Sequence, residues 1–318
     1  MMDLSAFCPR RILACQLRQI GDVVLATPAL ELLKRRFPGA ELHVVAEKKC
    51  APVLYGSPYI DRLWELDKSA FVPFWKEFLW YWKVARQSFD LVVDFQQLPR
   101  CRWIVGFSGA PVRLSFPAPW YNRLLYNVAA PPQAGYSAAS KVSLLKPLGI
   151  EWHGEPPRIF LSNGERAQAE AVLEGLGLPE GARLVTLAPT HKDATRRWPA
   201  AHFAELARLL LEAAPDLWFL PLHGPGEEGT VRDLLASMAP EVRAVTLLPE
   251  LPPSLRRSAA WIARASLHVG NCSAPRHIAV AVGTPSCTVL GASNDSWSFP
   301  SPRHAAVRLG LPCQPCRG

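Results

Sequence analysis

Two stretches of the sequence decide the fold: RILACQLRQIGD at residues 11–22 and LHVGNCSAPRH at residues 267–277. Each begins with a short hydrophobic run, passes a glycine and continues into a helical pattern. A strand, a turn and a helix begin a βαβ unit, which binds ligands at the carboxyl ends of its strands. The first turn offers the carboxylate of Asp22, and the second offers the expected cations Arg276 and His277 with free backbone amides. A base on one turn and an anion site on the other predict group transfer from a phosphorylated donor.

Short β-branched runs alternate with amphipathic segments along both halves of the chain. This pattern predicts the α/β class, with doubly wound parallel sheets covered on both faces. We expect two domains, residues 1–155 and 156–318, joined by the proline-containing segment 149–162. The predicted strands are 11–15, 41–45, 62–66, 91–94, 112–114, 184–187, 217–222, 242–247, 267–270 and 286–290. The predicted helices of the second half are 199–213, 229–238 and 254–265.

Composition narrows the possible partners and the compartment. The 318 residues are 49% hydrophobic and 19% charged, which is typical of a globular protein, and the net charge of +8 favours an anionic partner. The basic residues form short clusters without a nucleic-acid motif, so we expect no nucleic-acid partner. The sequence has no apolar run of about 18 residues and no apolar N-terminal stretch, which predicts a cytoplasmic protein.

The eight cysteines are scattered and predict no disulfide framework. Cys313 and Cys316 form the one close pair, and a structural zinc ion needs four ligands. The sequence leaves open free thiols, a metal site, or a longer protein with further ligands beyond residue 318.

An aromatic segment at residues 71–83 has two possible roles. At helical spacing, one face carries Trp75, Phe78, Leu79 and Trp82. This face would pack into the core, whereas Trp80 and Tyr81 project elsewhere, beside the cations of Lys83 and Arg86. The alternative is an interfacial surface that touches lipid.

Asp22 follows Gly21 where a strand gives way to a helix. Its carboxylate could cap the helix N-terminus, and it could equally accept a proton from an attacking hydroxyl as a general base. The two roles are compatible.

Three stretches of the second half could bind the donor. After residues 184–187, Thr190 precedes a basic loop that includes Lys192 and Arg196, which predicts a phosphate site. The sequence GPGEEG at residues 224–229 matches a dinucleotide-binding pattern, but its two glutamates would repel a pyrophosphate. A glutamate in this loop is better suited to accept hydrogen bonds from ribose hydroxyls.

In the third stretch, residues 270–277, the amides of Ser273 and Ala274 open a helix and would face an anion. His277 lies about one turn into this helix, where it would touch the bound ligand.

In order and spacing, these motifs resemble glycosyltransferase family 9, the bacterial heptosyltransferases of the lipopolysaccharide inner core. The resemblance extends over nearly the whole chain and includes residues 18–30, 90–96, 108–113, 196–199 and 283–285. It implies a GT-B fold of two Rossmann-like domains facing across a cleft, with the acceptor bound by the N-terminal domain and the nucleotide-sugar by the C-terminal domain. It also implies an inverting, metal-independent transfer that uses no cofactor.

The resemblance implies a role for each candidate residue. Asp22 matches the general base, with Arg18 and Gly21 on the acceptor side. The residues implied to bind the donor are Thr190, Lys192, Arg196, Glu228, Ser273, Ala274 and His277. The implied donor is ADP-heptose, and the implied acceptor is a lipid-linked saccharide at the inner face of the cytoplasmic membrane, to which the enzyme would bind peripherally.

The chain departs from the family at the predicted diphosphate loop. Where the family usually has Asp-Ser/Thr-Gly-Pro, this chain has Cys272, Ser273, Ala274 and Pro275, followed by Arg276. The change predicts an altered donor preference or reduced activity. A catalytically weak paralogue acting as a scaffold is therefore the alternative, and a nicotinamide-dependent oxidoreductase is disfavoured because the first half lacks the glycine fingerprint.

Overall fold

The computed structural model describes Leu4 and residues 6–71, 73, 75–117, 119–250 and 252–315. These residues form two compact units, divided between Arg158 and Ile159. Cys316 and two positions of the aromatic segment, Val72 and Phe74, lie outside the described residues.

Unit 1 is built on six parallel strands in the order β3-β2-β1-β4-β5-β6. The strands are β1 (Arg11–Cys15), β2 (Glu41–Glu47), β3 (Arg62–Leu66), β4 (Leu91–Asp94), β5 (Val112–Ser115) and β6 (Val128–Ala129). The helices are α1 (Ile20–Arg36), α2 (Trp75–Ala85), α3 (Pro99–Ser108) and α4 (Ser137–Ser143). The strand order reverses between β1 and β4, where an open α/β sheet forms its ligand crevice.

Unit 2 has five parallel strands in the order β11-β10-β9-β7-β8. The strands are β7 (Arg183–Ala188), β8 (Leu217–Pro221), β9 (Leu267–Asn271), β10 (Ser286–Val289) and β11 (His304–Val307). The helices are α5 (Asn163–Gly175), α6 (Ala200–Ala213), α7 (Glu228–Ser237), α8 (Pro240–Ala244), α9 (Leu255–Arg264) and α10 (Ala274–Val282). Here the strand order reverses between β7 and β9.

The buried strands explain why the hydrophobic runs are continuous rather than alternating. In β1 the four residues Ile12–Cys15 are all buried, and all four residues of β4 are buried as well. Since successive side chains point to opposite faces, both faces of these strands are covered, as predicted for parallel sheets.

One predicted strand is wrong. Residues 240–244 form α8, and of the predicted strand 242–247 only Thr246 pairs with a strand, through an isolated bridge to Phe219. Pro240 at the first helical position has its φ angle preset for a helix, which outweighs the apolar run that follows. The sequence reading also missed β6 and β11. The other nine predicted strands and the three predicted helices form within one or two residues of their expected bounds.

Candidate functional site

The turn after β1 is fixed by a side chain that follows β4. Gln96 Oε1 accepts hydrogen bonds from the amides of Leu17 and Arg18, at 3.0 and 3.1 Å, and Gln96 Nε2 donates to the Arg18 carbonyl at 2.8 Å. Gln96 itself is placed by Asp94, which is buried and accepts from the Gln96 amide at 2.9 Å and from the Tyr126 hydroxyl at 2.7 Å. Burial raises the pKa of Asp94. This network holds the turn at the reversal of strand order.

Asp22 lies at this turn and faces a buried lysine. Lys141 Nζ, from α4, is 3.7 Å from Asp22 Oδ1 and donates to Gln16 Oε1 at 2.9 Å. Lys141 is 8% exposed, whereas a quarter of the Asp22 side chain (25%) remains exposed. Burial lowers the pKa of Lys141, and the charge of Asp22 opposes that shift. The carboxylate is thus oriented by a cation and still reachable from solvent.

The prediction that Asp22 caps the helix is wrong. The N-cap of α1 is Gln19, which has a positive φ of 64° and makes no side-chain cap hydrogen bond. Asp22 is the third residue of α1, where the positive end of the helix dipole still favours a carboxylate. Arg18 is exposed on the turn, and Gly21 is the second, half-buried residue of the helix. Sequence reasoning missed Lys141, because nothing in the spacing of α4 marks it as a partner of Asp22.

In unit 2, the basic loop after β7 is tied to the end of β9 by one asparagine. Asn271 Oδ1 accepts from the Trp198 amide at 2.9 Å, and Asn271 Nδ2 donates to the Pro189 carbonyl at 2.7 Å. Thr190 is buried within this loop, and Lys192 is exposed. Asn271 was not predicted, although its position directly after Gly270 is a usable signal for a loop-holding amide.

Arg196 is seated against the turn that follows β10. A Cβ on Gly291 would clash with the Thr195 carbonyl oxygen and stand 2.8 Å from Arg196 Cα, so only glycine allows this approach. The Ala292 amide donates to the same carbonyl at 3.1 Å. The Arg196 Nε atom lies 3.6 Å from the Asp193 carboxylate, and the side chain is 42% exposed. Its backbone is therefore fixed while its guanidinium is accessible to a ligand.

The glycine-rich loop after β8 is not a phosphate cradle. Glu227 Oε2 accepts from the Gly224 amide at 2.8 Å, and Glu228 Oε1 accepts from the Gly226 amide at 3.1 Å. These amides are already bonded to carboxylates and are not free for an anion. Backbone hydrogen bonds, its own and that of Gly226, lower the pKa of Glu228, which keeps the carboxylate ionised as a hydrogen-bond acceptor.

The start of α10 keeps only part of its hydrogen-bond donors free. The Ser273 amide, predicted to face an anion, instead donates to the Asn271 carbonyl at 2.8 Å, and Pro275 has no N–H to donate. Ser273 is the N-cap residue but makes no side-chain cap bond, and its buried Oγ has no hydrogen-bond partner among the described residues. Ala274 is the first residue of the helix. The early amides of a helix have no partner within it, so this end can bind an anion.

His277 is buried at 5% exposure, and its ring lies 5.8 Å from that of Trp297. Burial, assisted by the charge of Arg276, lowers the pKa of His277 to about 3. The histidine is therefore neutral at pH 7, and the expectation that it contributes a positive charge is wrong. It can contact a ligand only as a neutral hydrogen-bonding group.

Arg276 supplies the cation that His277 lacks. It is 4% exposed, with Nη1 donating to Cys272 Sγ at 3.1 Å and Nη2 donating to Ser298 Oγ at 2.7 Å. The guanidinium therefore lies beside the residue that precedes Ser273, at the start of α10.

The sequence profile of glycosyltransferase family 9 (heptosyltransferase) matches residues 81–318. The chain belongs to glycosyltransferase family 9. It is 26% identical over 291 residues to lipopolysaccharide heptosyltransferase 3 of Escherichia coli, covering 86% of this chain and 81% of that one. It is 27% identical over 327 residues to lipopolysaccharide heptosyltransferase 1 of Pseudomonas aeruginosa, covering 96% and 86%. The structure of the E. coli ADP-heptose lps heptosyltransferase II matches with a TM-score of 0.78 at 19% identity, covering 96% of this chain and 92% of that one.

The fold of this family 9 glycosyltransferase is thus the α/β fold with two parallel sheets of the GT-B heptosyltransferases. Within unit 2, the predicted donor-binding residues follow β8, β7 and β9, which are adjacent in the sheet. Because carboxyl ends of parallel strands share one edge, the loops that carry Glu228, Arg196 and Ser273 lie side by side. Asp22, Arg18 and Gly21 lie together in unit 1.

In the aromatic segment of this glycosyltransferase, three of the four residues predicted to face the core are exposed, and Phe78 is the fourth, partly buried against the core together with Trp80. Tyr81 is 2% exposed and packs in the core with Val84 and Ala85, whereas Trp75, Leu79 and Trp82 of the predicted core face are about half exposed, at 51%, 57% and 49%. The helix is so apolar all round that periodicity could not select the buried side. Exposed aromatic rings continue from α2 onto neighbouring elements of unit 1. We call the aromatic surface the set Trp75, Leu79, Trp82, Trp103, Trp120 and Tyr121.

Two further observations concern the described part of the chain only. None of its helices is long and apolar enough to cross a bilayer. It contains no group of three or more histidine, cysteine or acidic side chains placed to hold a metal ion. Cys313 is an exposed free thiol, and Cys316, the other cysteine of the close pair in the sequence, lies outside the described residues.

Proposed function

We propose that this chain transfers a heptose, or a related sugar, from a nucleoside diphosphate to a hydroxyl of the lipopolysaccharide inner core or of another lipid-linked saccharide. The observation that carries the proposal is the edge of unit 2, where the accessible Arg196 and the start of α10, with its unpartnered Ser273 hydroxyl, lie on adjacent loops. Both favour a diphosphate. The names of the relatives, lipopolysaccharide heptosyltransferases and an ADP-heptose enzyme, support ADP-heptose as the donor.

The proposed reaction is an inverting, metal-independent displacement. The acceptor oxygen attacks the anomeric carbon and passes its proton to Asp22, while the bond from that carbon to the diphosphate oxygen breaks. Lys192, Arg196 and the amides that begin α10 stabilise the charge on the leaving diphosphate. In the same proposal Thr190, Ser273, Ala274 and His277 contact the phosphates, Glu228 accepts hydrogen bonds from the ribose hydroxyls, and Arg18 and Gly21 flank the acceptor.

Calorimetry with ADP tests the donor site. Replacing Arg196 by methionine should weaken ADP binding by about 1 to 3 kcal/mol, the value of a charge-assisted hydrogen bond. Arg257→Met is the matched control, because this exposed arginine on α9 has its backbone amide bonded to Ser254 and loses the same charge outside the proposed site. Equal ADP affinity in the wild type and the Arg196 variant would refute the placement. Mass spectrometry of ADP-heptose incubated with a lipid-linked acceptor then tests the transfer.

We also propose that unit 1 docks on an anionic membrane through the aromatic surface. Trp82 and Trp103 both contact the Phe107 ring, with centroids 5.5 and 5.6 Å apart, and Trp120 contacts Tyr121 at 5.9 Å. The Arg102 guanidinium lies 5.7 Å from the centroid of the Tyr121 ring. The guanidinium of Arg86 lies 5.0 Å from the Trp82 ring. Aromatic rings mixed with cations favour the interface of an anionic bilayer, where the lipid-linked acceptor would lie.

The scaffold alternative keeps one supporting observation. Cys272 stands where the family usually has an aspartate, and its thiol contacts Arg276 rather than offering a carboxylate to a donor. A protein that binds ADP but neither hydrolyses nor transfers any nucleotide sugar would favour this alternative.

A further inference from the structure

Arg276 is a buried cation whose described partners are all neutral. Its two hydrogen bonds go to the Cys272 thiol and the Ser298 hydroxyl, and no carboxylate of the described residues forms an ion pair with it. Its charge helps to lower the pKa of His268 and of His277, after burial as the main cause. The positive charge therefore acts on a buried region that contains no compensating negative charge.

Such an arrangement is unfavourable unless an anion completes it. A buried charge without a charged partner costs several kcal/mol, and a thiol is a weak acceptor. Two other unsatisfied donors lie at the same place: the Ser273 hydroxyl, which has no described partner, and the uncapped amides that begin α10. Three kinds of donor thus belong to residues 273–276, at the start of one helix.

The thiol at position 272 accounts for the unneutralised charge of Arg276. An aspartate at position 272 would lie within hydrogen-bond distance of the Arg276 guanidinium and would neutralise it, whereas the thiol leaves the charge available. The guanidinium can keep its Ser298 bond and exchange the thiol for an anion at Nη1.

We propose that Arg276 is a specificity-determining residue of the donor site, where it binds an oxyanion of the donor at the start of α10. This inference rests on the proposed function. The oxyanion is either the diphosphate or a carboxylate carried by the transferred sugar, and the same chemistry recognises both. With Cys272 and Arg276 in place of the residues usual in the family, the donor site then has one additional positive charge.

The test is calorimetry on the purified full chain with pyrophosphate, ADP, UDP-glucose and UDP-glucuronate. Arg276→Met removes the charge at similar volume, Arg276→Lys retains it, and Arg257→Met is the charge-matched control. If the diphosphate is the partner, Arg276→Met weakens all four ligands by about 10- to 100-fold. If a sugar carboxylate is the partner, pyrophosphate and ADP are unaffected, and the wild type prefers UDP-glucuronate to UDP-glucose by at least about 10-fold. Arg276→Met then abolishes this preference, and Arg276→Lys retains part of it.

Cys272→Asp is a second variant that does not remove the arginine. It should weaken the same ligands as Arg276→Met and raise the melting temperature of the free protein, because it pairs the buried cation. Unchanged binding of every ligand in Arg276→Met and Cys272→Asp, with ADP still weakened by Arg196→Met, overturns the inference and leaves the proposed function standing. A wild type that binds none of the four ligands overturns both.

Discussion

Replacing Asp22 by asparagine should lower both the stability of the protein and its rate of sugar transfer, and the two effects can be measured separately. The substitution keeps the size of the side chain but removes the one carboxylate that lies within 4 Å of Lys141 among the described residues. Because breaking a buried ion pair leaves a charge uncompensated, we expect a loss of stability. As the proposed base is also removed, transfer should fall by roughly 10² or more at nearly constant donor affinity.

The size of the stability effect follows from the geometry. At 3.7 Å, two unit charges attract by about 1 kcal/mol in water and by about 4.5 kcal/mol at an effective dielectric constant of 20. Lys141 is buried and Asp22 is partly exposed, so the value should lie between these limits. We expect Asp22→Asn to lower the free energy of unfolding by about 1 to 3 kcal/mol.

Urea unfolding of Asp22→Asn, Lys141→Met and the double variant would measure this coupling. The double variant should be more stable than Asp22→Asn alone, since it no longer buries an unpaired ammonium, while its transfer activity should stay as low. Asp22→Asn with wild-type stability would refute the role of the Lys141 pair. Asp22→Asn with full turnover would refute the assignment of the base.

Three further predictions concern other parts of the molecule. Gly291→Ala should cost about 1 to 3 kcal/mol of stability and weaken ADP binding, because the added methyl group displaces the Arg196 loop, and an unchanged urea midpoint would contradict this. Because burial holds the folded-state pKa of His277 near 3, below its unfolded value, the stability it contributes is complete above about pH 6.5 and is lost as the pH falls towards 3, by about 1.4 kcal/mol per pH unit. The pH dependence of the urea midpoint should be shallower in His277→Gln. Replacing Trp82 and Trp103 by serine should reduce flotation with anionic liposomes and its dependence on salt, and equal flotation would exclude the aromatic surface as the membrane contact.

The sequence predicted nine of the eleven described strands and the positions of the loops that follow β1, β7, β8 and β9, because continuous apolar runs and glycines are local signals. It missed β6 and β11. It was misleading where two local rules competed, as at Pro240, where the start of a helix prevailed over an apolar run. It was also misleading on α2, whose apolar residues surround the helix, so that only packing against α3 selects Tyr81 for the core.

The electrostatics of the site could not be predicted from the sequence. The pairing of Lys141 with Asp22 joins residues far apart in the chain and depends on how α4 packs against α1. Likewise, the position of His277 predicts a cation, but burial and the charge of Arg276 lower its pKa and keep the ring neutral. Both properties arise from tertiary contacts, and sequence spacing carries no signal for them.

The helix starts have a consequence for measurements on the free protein. α5 and α9 are capped by Ser162 and Ser254, whereas α1 and α10, like α3, α4, α6, α7 and α8, begin without a side-chain cap, and the first two do so at the turns proposed to meet the substrates. A missing cap typically lowers stability by about 1 kcal/mol, and a bound anion can supply the absent hydrogen bonds. Ligand binding at these helix starts should therefore raise the free energy of unfolding of each unit. The ligand-free enzyme should therefore be cleaved by proteases and unfolded by heat more readily than the bound form. Its half-life under either treatment should increase with donor concentration.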